Sequence, residues 1–153
     1  LGIRLPENFT APYLKPNLTQ FWNSWHITLT QWFRSYFFNP LTRFLRSAEK
    51  PLPVPLVILV TQVTTMLLIG LWHGVTGNVV RGVLWHGAGL FLQNRWSELT
   101  RVRMSALPLL LRKALNAGGI LLTFHFVTLG WVFFALPTIG LSWHLFLKLF
   151  GLI

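Results

Sequence analysis

Five histidines are the side chains of this sequence best suited to acid–base chemistry: His26, His73, His86, His125 and His144. An imidazole can accept a proton near neutral pH, and deprotonation of an alcohol for acyl transfer requires such a group. No spacing of the HExxH type joins one histidine to another or to a carboxylate, so the sequence predicts no metal site.

Two of these histidines stand in distinctive surroundings. His73 ends an apolar run and is followed by Gly74, which leaves room beside the ring for a small substrate. His26 follows a tryptophan and lies one helical turn from Trp22 and from Thr30, at the border between an apolar and a polar helix face. We therefore predict that His73 and His26 carry the chemistry.

Other reactive groups are scarce. The sequence has no cysteine, which excludes disulfides, a thiolate nucleophile and cysteine metal sites. The acidic residues are Glu7, Glu49 and Glu98, and none of them lies in a long apolar run. No carboxylate is therefore placed to replace a histidine as a base within a membrane segment.

The composition is that of a membrane protein. Of 153 residues, 53% are apolar, 15% aromatic and only 10% charged, with eight Trp and thirteen Phe. The net charge is +10, but most of the basic residues cluster in two stretches, 34–50 and 95–113, that flank apolar runs. Such clusters are typical of cytoplasmic loops, so we expect a lipid bilayer as the partner and no nucleic acid.

Proline and capping signals divide the first part of the chain. Residues 1–16 hold Pro6, Pro12 and Pro16 and predict an extended segment at the membrane interface. Asn17 and Gln20 resemble a capping box, and aromatic residues then recur at helical spacing. The pattern predicts one amphipathic helix over residues 17–38, ended by Asn39 and Pro40.

Apolar runs dominate the remainder. Residues 54–72 and 117–136 carry no charge and predict membrane spans. Residues 74–96 contain several glycines together with Arg81 and His86 inside otherwise apolar sequence, which predicts a broken or re-entrant segment that lines a cavity. Residues 141–153 form a terminal apolar segment too short to cross comfortably. The sequence thus predicts a single all-α integral membrane domain with about three to four membrane segments and an amphipathic interfacial helix.

A family resemblance adds to this interpretation. Residues 21–36, FWNSWHITLTQWFRSY, resemble the FWxxWHxSLxxWxRxY signature of the membrane-bound O-acyltransferase superfamily, and most closely its bacterial branch of alginate O-acetyltransferases and the teichoic-acid D-alanylation protein. Residues 70–74, GLWHG, resemble the second histidine motif of that family. The remaining similar stretches, in family order, are residues 5–13, 86–96 and 123–134. The resemblance covers most of residues 5–136 of this chain, and it matches only the C-terminal part of the proteins in that family.

Three positions depart from the family pattern. Ser24 stands where a basic residue is common, and Ala135 replaces a frequent arginine. The pair Trp85 and His86 compresses the usual spacing between tryptophan and histidine. None of these departures removes His26 or His73.

The resemblance implies a fold and a reaction. It implies part of a helical bundle of the family type, in which His73 is the catalytic base and His26 orients or polarises the substrate. It also implies transfer of an acyl group, acetyl in the first instance, from a thioester such as acetyl-CoA to a hydroxyl of a cell-surface polysaccharide. The thioester is a co-substrate, and no bound cofactor is implied. Substrate-binding roles are expected for Asn23, Arg34 and Trp72, although a snorkelling arginine and a packing asparagine explain the first two equally well.

The same resemblance implies a bacterial inner-membrane protein that works with other membrane or periplasmic subunits. A non-catalytic alternative remains open, in which this chain is an acyltransferase-derived integral subunit within a larger membrane complex. Gly70, Gly74 and Gly77 would then serve close helix packing rather than chemistry. An in-frame upstream continuation with further spans would favour the enzyme, and a start codon just before Leu1 would favour the subunit.

The orientation of the two basic loops relative to the membrane is the first testable prediction. We predict that residues 40–53 and 97–113 both face the cytoplasm, because the basic residues cluster there. Ser47→Cys and Ser105→Cys variants, in a chain with no other cysteine, should therefore react with an impermeant thiol reagent from the same side. Labelling of the two positions from opposite sides would contradict this topology.

Overall fold

Helices make up most of the backbone in the part of the chain that the computed structural model describes, residue 2 and residues 5–153. The seven α-helices are α1 (Leu18–Ser24), α2 (Ile27–Phe33), α3 (Asn39–Arg46), α4 (Val54–His73), α5 (Gly77–Ser105), α6 (Leu109–Ala135) and α7 (Ile139–Leu149). No β-strand occurs in these residues, apart from one isolated bridge between Phe9 and Trp25. The all-α prediction is confirmed.

Two helices, α4 and α6, are long and apolar enough to cross a membrane. α4 has 20 residues, which is about 30 Å of helix and matches the hydrocarbon thickness of a bilayer. α6 has 27 residues and begins at Leu109, before the predicted span at residue 117, so that Arg112 and Lys113 lie in its first turns. α7 has 11 residues, about 16 Å, and is too short to span.

The helices α4, α5 and α6 pack as successive antiparallel neighbours. Gly70 near the end of α4 faces Val83 near the start of α5, and Gly82 of α5 faces Phe134 near the end of α6. These glycines let bulky side chains approach a neighbouring helix backbone closely. The α4–α5 hairpin also puts residues 40–53 and the end of α5 on the same side, as two cytoplasmic loops require.

The predicted broken segment at residues 74–96 needs correction. The interruption occupies only residues 74–76, where Gly74 has φ +143° and Thr76 caps the next helix by accepting a hydrogen bond from the Val79 N–H. From Gly77 to Ser105 the helix is continuous. The glycines within α5 serve close packing, and the helix itself satisfies their backbone groups, so no break is required there.

The predicted single helix over residues 17–38 is also wrong in its interior and at its end. It is interrupted at Trp25 and His26, where the His26 backbone is left-handed (φ 45°). The N-terminal segment supplies the missing hydrogen bonds: the Ile27 N–H donates to the Asn8 carbonyl at 3.0 Å, and the Thr28 N–H donates to Asn8 Oδ1 at 3.0 Å. Sequence periodicity cannot reveal this partner, because it comes from outside the helix.

Pro40 does not end the helical path. A π-helical turn over Arg34–Phe38 leads directly into α3, and Pro40 occupies one of the first positions of that helix. The Asn39 N–H donates to the Arg34 carbonyl of the π-helical turn, whereas Pro40 has no N–H to donate, so the helical path continues without a backbone hydrogen bond from this residue.

The N-terminal segment is largely non-helical, as predicted, except for a 3₁₀ turn over Pro12–Leu14. Residues 1, 3 and 4 of that predicted segment lie outside the described residues.

The buried core joins α1 to α5 and α6. Leu18 and Phe21 of α1 pack with Leu90 of α5 and Val127 of α6. Partly buried side chains surround this cluster: Tyr13, Trp22, Trp25, Met66, Phe126 and Trp131. Within a bilayer these contacts stabilise the fold through van der Waals packing rather than through removal of apolar surface from water. The core therefore anchors the short helix α1 against the long helices.

Two adjacent glycines of α6 test this packing. A Cβ on Gly119 would meet the backbone carbonyl of Pro16, whereas a Cβ on Gly118 would meet nothing within 4 Å. We predict that Gly119→Ala lowers the free energy of unfolding by about 1–3 kcal/mol, because the backbone must shift. Gly118→Ala, the matched control, should raise it by up to about 1 kcal/mol through helix propensity. Thermal unfolding in detergent measures both, and equal effects would contradict the contact.

Candidate active site

His26 is held at the break between α1 and α2. A left-handed backbone is unfavourable for a residue with a side chain, and it persists only where surrounding contacts impose it. Here the Phe9 ring contacts the imidazole edge-on at a centroid distance of 4.7 Å, and Trp25 contacts it at 5.7 Å. These contacts, together with the Asn8 hydrogen bonds, hold the partly buried imidazole in one place.

His73 is the last residue of α4. Gly74 follows with a positive φ, and a Cβ on Gly74 would meet nothing within 4 Å, so the backbone after His73 is not packed against another element. The ring contacts Trp72 edge-on at 4.8 Å and Phe134 of α6 at 6.1 Å. The side chain is exposed, which makes it the accessible imidazole of the site.

His86 lies in the middle of α5 and is 1% exposed. Its ring is surrounded by aromatic side chains, with Trp22 at 5.2 Å and Trp131 at 5.1 Å. A Cβ on Gly130 of α6 would lie 2.5 Å from its Nε2 atom, so only glycine leaves room for the imidazole at this crossing. Sequence reasoning did not place His86 in the site, although an ionisable residue within a membrane-like segment was an available signal.

These three histidines line one cavity of about 150 Å³. They come from separate elements: the α1–α2 break, the end of α4 and the middle of α5. The other lining residues are mostly apolar: Trp22, Trp25, Leu29, Thr30, Met66, Ile69, Gly70, Val83, Trp131 and Phe134. The cavity therefore combines an apolar wall with imidazole groups and has no carboxylate in its lining.

A second cavity of about 190 Å³ adjoins the first. Trp22, Thr30, Met66 and Ile69 line both. The second cavity is more polar, with lining side chains that include Thr19, Asn23, Arg34, Gln62, Thr65 and Asn94. The polar cavity and the cavity with the imidazoles thus meet at these four shared residues.

The predicted substrate-binding residues separate into two groups. Asn23 and Arg34 line the second cavity, where the Arg34 guanidinium donates to Asn23 Oδ1 at 2.7 Å. Trp72 lines neither cavity and is 65% exposed, but its ring lies against His73. The structure therefore brings His26 and His73 together and places Asn23 and Arg34 next to them, with Trp72 outside.

The two remaining histidines lie away from these cavities. His125 Nδ1 is 2.7 Å from the Leu121 carbonyl one turn earlier in α6, and His144 is exposed on α7. Within residue 2 and residues 5–153, no group of three His, Asp or Glu side chains is placed to hold a metal ion. The arrangement is suited to proton transfer by imidazole in a mostly apolar cavity.

Comparison with known proteins finds relatives that are named as O-acetylases, O-acetyltransferases or D-alanyltransferases. The chain is 30% identical over 151 residues to the probable alginate O-acetylase AlgI of Pseudomonas aeruginosa, covering 99% of this chain and 26% of that protein. It is 30% identical over 141 residues to a teichoic acid D-alanyltransferase of Streptococcus thermophilus, covering 88% and 34%. It is 33% identical over 133 residues to a peptidoglycan O-acetyltransferase of Helicobacter pylori, covering 87% and 23%.

These matches have a limited extent. The chain spans about a quarter to a third of the length of the curated relatives it matches. A comparison with models of protein families finds no match.

Access to the cavities is testable with cysteine chemistry. A cysteine needs water to form the reactive thiolate, and the polar lining of the second cavity requires water when no ligand is bound. We predict that Thr30→Cys, at the junction of the cavities, reacts with a charged methanethiosulfonate at least about tenfold faster than Leu122→Cys, on the exposed face of the spanning helix α6. The labelling rates are measured by quenching the reaction at set times and determining the modified fraction by mass spectrometry. Equal rates would mean that the cavities are dry.

Proposed function

The chain belongs to the membrane-bound O-acyltransferase superfamily, and we propose that the protein transfers an acyl group from a thioester to a hydroxyl group at the cavity lined by His26 and His73. The observation that carries this proposal is the convergence of histidines from separate elements on one apolar cavity beside a polar one. An acyl chain suits the first cavity, and the polar portion of a donor suits the second.

The proposed reaction needs one proton acceptor. His73 accepts the hydroxyl proton of the acceptor while its oxygen attacks the thioester carbonyl carbon, and the C=O electron pair moves onto the carbonyl oxygen. When that pair returns, the carbon–sulfur bond breaks, and the imidazolium gives its proton to the leaving thiolate. The products are an ester and a free thiol. A positioned base of this kind contributes about 10²–10⁴-fold to the rate.

His73 suits the role of base better than His26. Its side chain is exposed and lines the cavity, so an acceptor hydroxyl can reach the imidazole. The His26 imidazole is fixed by aromatic contacts and by the backbone break, as expected for a group that orients or polarises a substrate.

The substrate-binding assignments follow from position. The Arg34 guanidinium, held by Asn23 in the second cavity, would bind a phosphate of a thioester donor such as acetyl-CoA, because guanidinium and phosphate form strong charge-assisted hydrogen bonds. Trp72, exposed beside His73, would pack its ring against a sugar of the acceptor.

The relatives support a cell-surface polymer as acceptor, since their names specify alginate, teichoic acid and peptidoglycan. We propose acetyl transfer to a hydroxyl of a surface polysaccharide, in the bacterial inner membrane, together with other membrane or periplasmic subunits. The two membrane-capable helices support insertion in the bilayer.

A second candidate function is that of a non-catalytic integral subunit. Its support is the large apolar surface of α6, where Leu110, Leu121 and Leu122 are each more than 60% exposed. Such a face packs against lipid or against partner helices without any chemistry. The two candidates differ in whether His73 is required for transfer.

Histidine replacements test the proposal. We predict that His73→Ala abolishes acetyl transfer from radiolabelled acetyl-CoA to surface polysaccharide in membranes, because the base is lost. His26→Ala should leave more residual rate, because orientation is a less direct role. His125→Ala and His144→Ala, outside the cavities, should leave transfer near the wild-type rate.

Rates must be compared at equal protein level, because a lost packing contact can lower abundance and imitate a catalytic defect. Near-wild-type transfer by His73→Ala would remove the catalytic assignment and favour the subunit.

A further inference from the structure

Three buried nitrogens, on two residues that line the histidine cavity, have no hydrogen-bond partner among the described residues. They are the indole nitrogen of Trp22 and the ring nitrogens of His86, which find no acceptor or donor among the described residues. The two rings contact each other edge-to-face, with centroids 5.2 Å apart and planes at 88°. Both residues line the cavity that also holds His26 and His73.

Unpartnered buried donors are rare because removal from water costs them their hydrogen bonds. Neighbouring tryptophans follow this rule: the Trp85 indole donates to the Phe126 carbonyl at 3.0 Å, and the Trp131 indole donates to the Tyr13 hydroxyl at 3.2 Å. The exceptions at Trp22 and His86 adjoin a cavity, which indicates that a ligand supplies their acceptor.

We infer that Trp22 and His86 form a donor pair for the carbonyl oxygen of the acyl thioester. The inference rests on the proposed function and names the groups that stabilise its intermediate. When the acceptor oxygen bonds to the carbonyl carbon, the displaced π pair resides on the carbonyl oxygen as an oxyanion. The indole N–H of Trp22 and the Nδ1–H of the neutral His86 imidazole, whose Nε2 packs against Gly130, donate to this oxygen. Both hydrogen bonds weaken when the C=O bond re-forms and the thiolate leaves.

Position supports this assignment. Trp22 lines both cavities, so its indole stands where the polar region meets the imidazoles. Gly130 leaves the space that the His86 imidazole occupies, and the Leu18–Phe21–Leu90 core holds α1 against α5. Donors held this way are preorganised before the charge develops, and this is the condition for a large catalytic effect.

The test compares kcat and KM for acetyl transfer from acetyl-CoA by the purified full-length protein. Trp22→Phe removes the N–H and keeps an aromatic ring, and His86→Leu removes the imidazole donor. Each should lower kcat about 10²-fold with KM little changed. His86→Asn retains an N–H donor and should recover part of that loss. Trp85→Phe, whose indole serves a structural hydrogen bond outside both cavities, is the matched control and should keep kcat.

A spectroscopic measurement separates this role from a structural one. The ketone analogue of acetyl-CoA, in which CH₂ precedes the sulfur, cannot react, and ¹³C at its carbonyl identifies its stretching band. Hydrogen bonds from Trp22 and His86 should lower that frequency in the wild-type protein, and Trp22→Phe should restore part of the shift. A wild-type band at its solution frequency would overturn the inference.

The kinetic outcomes separate the two proposals. If His73→Ala abolishes transfer while Trp22→Phe and His86→Leu keep kcat within about threefold, the donor pair is wrong and the proposed function stands. A rise in KM alone, or an equal loss in Trp85→Phe, would also overturn the donor pair, because it would indicate uniform binding or packing. If His73→Ala retains transfer, the proposed function itself fails.

Discussion

Close contact between helix backbones at glycines is the constraint on which the rest of this structure depends. Within a bilayer the hydrophobic effect does not drive helices together, and association relies on packing and interhelical hydrogen bonds. Val83 packs against Gly70, Phe134 against Gly82 and His86 against Gly130, and each contact would be blocked by a Cβ. These contacts set α4, α5 and α6 at the separation that encloses the cavity between His73 and His86.

The second requirement is the interruption at His26. A continuous helix would carry the His26 side chain on a regular helical face, with its backbone bonded within the helix. Instead, Asn8 replaces the lost hydrogen bonds and the Phe9 ring contacts the imidazole, which lines the cavity. The N-terminal segment forms few hydrogen bonds within itself, and its backbone polar groups bond instead to groups at the break in the helix. The segment thereby becomes part of the site.

The chemical character of the cavity follows from these two features. Its lining is aromatic and aliphatic apart from three imidazoles, one threonine and the indole nitrogen of Trp22, which has no hydrogen-bond partner in the described part of the chain. Where a low-dielectric wall surrounds few polar groups, each hydrogen bond acts strongly on a developing charge. Arg34, Asn23 and most of the other polar side chains line the adjoining cavity, so the proposed donor site is separate from the proposed reaction centre.

The sequence by itself determined the helical class, the spans around residues 54–72 and 117–136, and the family. Uncharged runs of membrane length and short motifs can be recognised from consecutive residues alone. It also selected His26 and His73, which the tertiary structure brought to one cavity. The tertiary structure alone decided the break at His26, the continuity of α5 through its glycines, and the place of His86. Each of these depends on contacts between residues far apart in the chain, such as Asn8 with Thr28 and Gly130 with His86. Local sequence periodicity cannot predict such contacts.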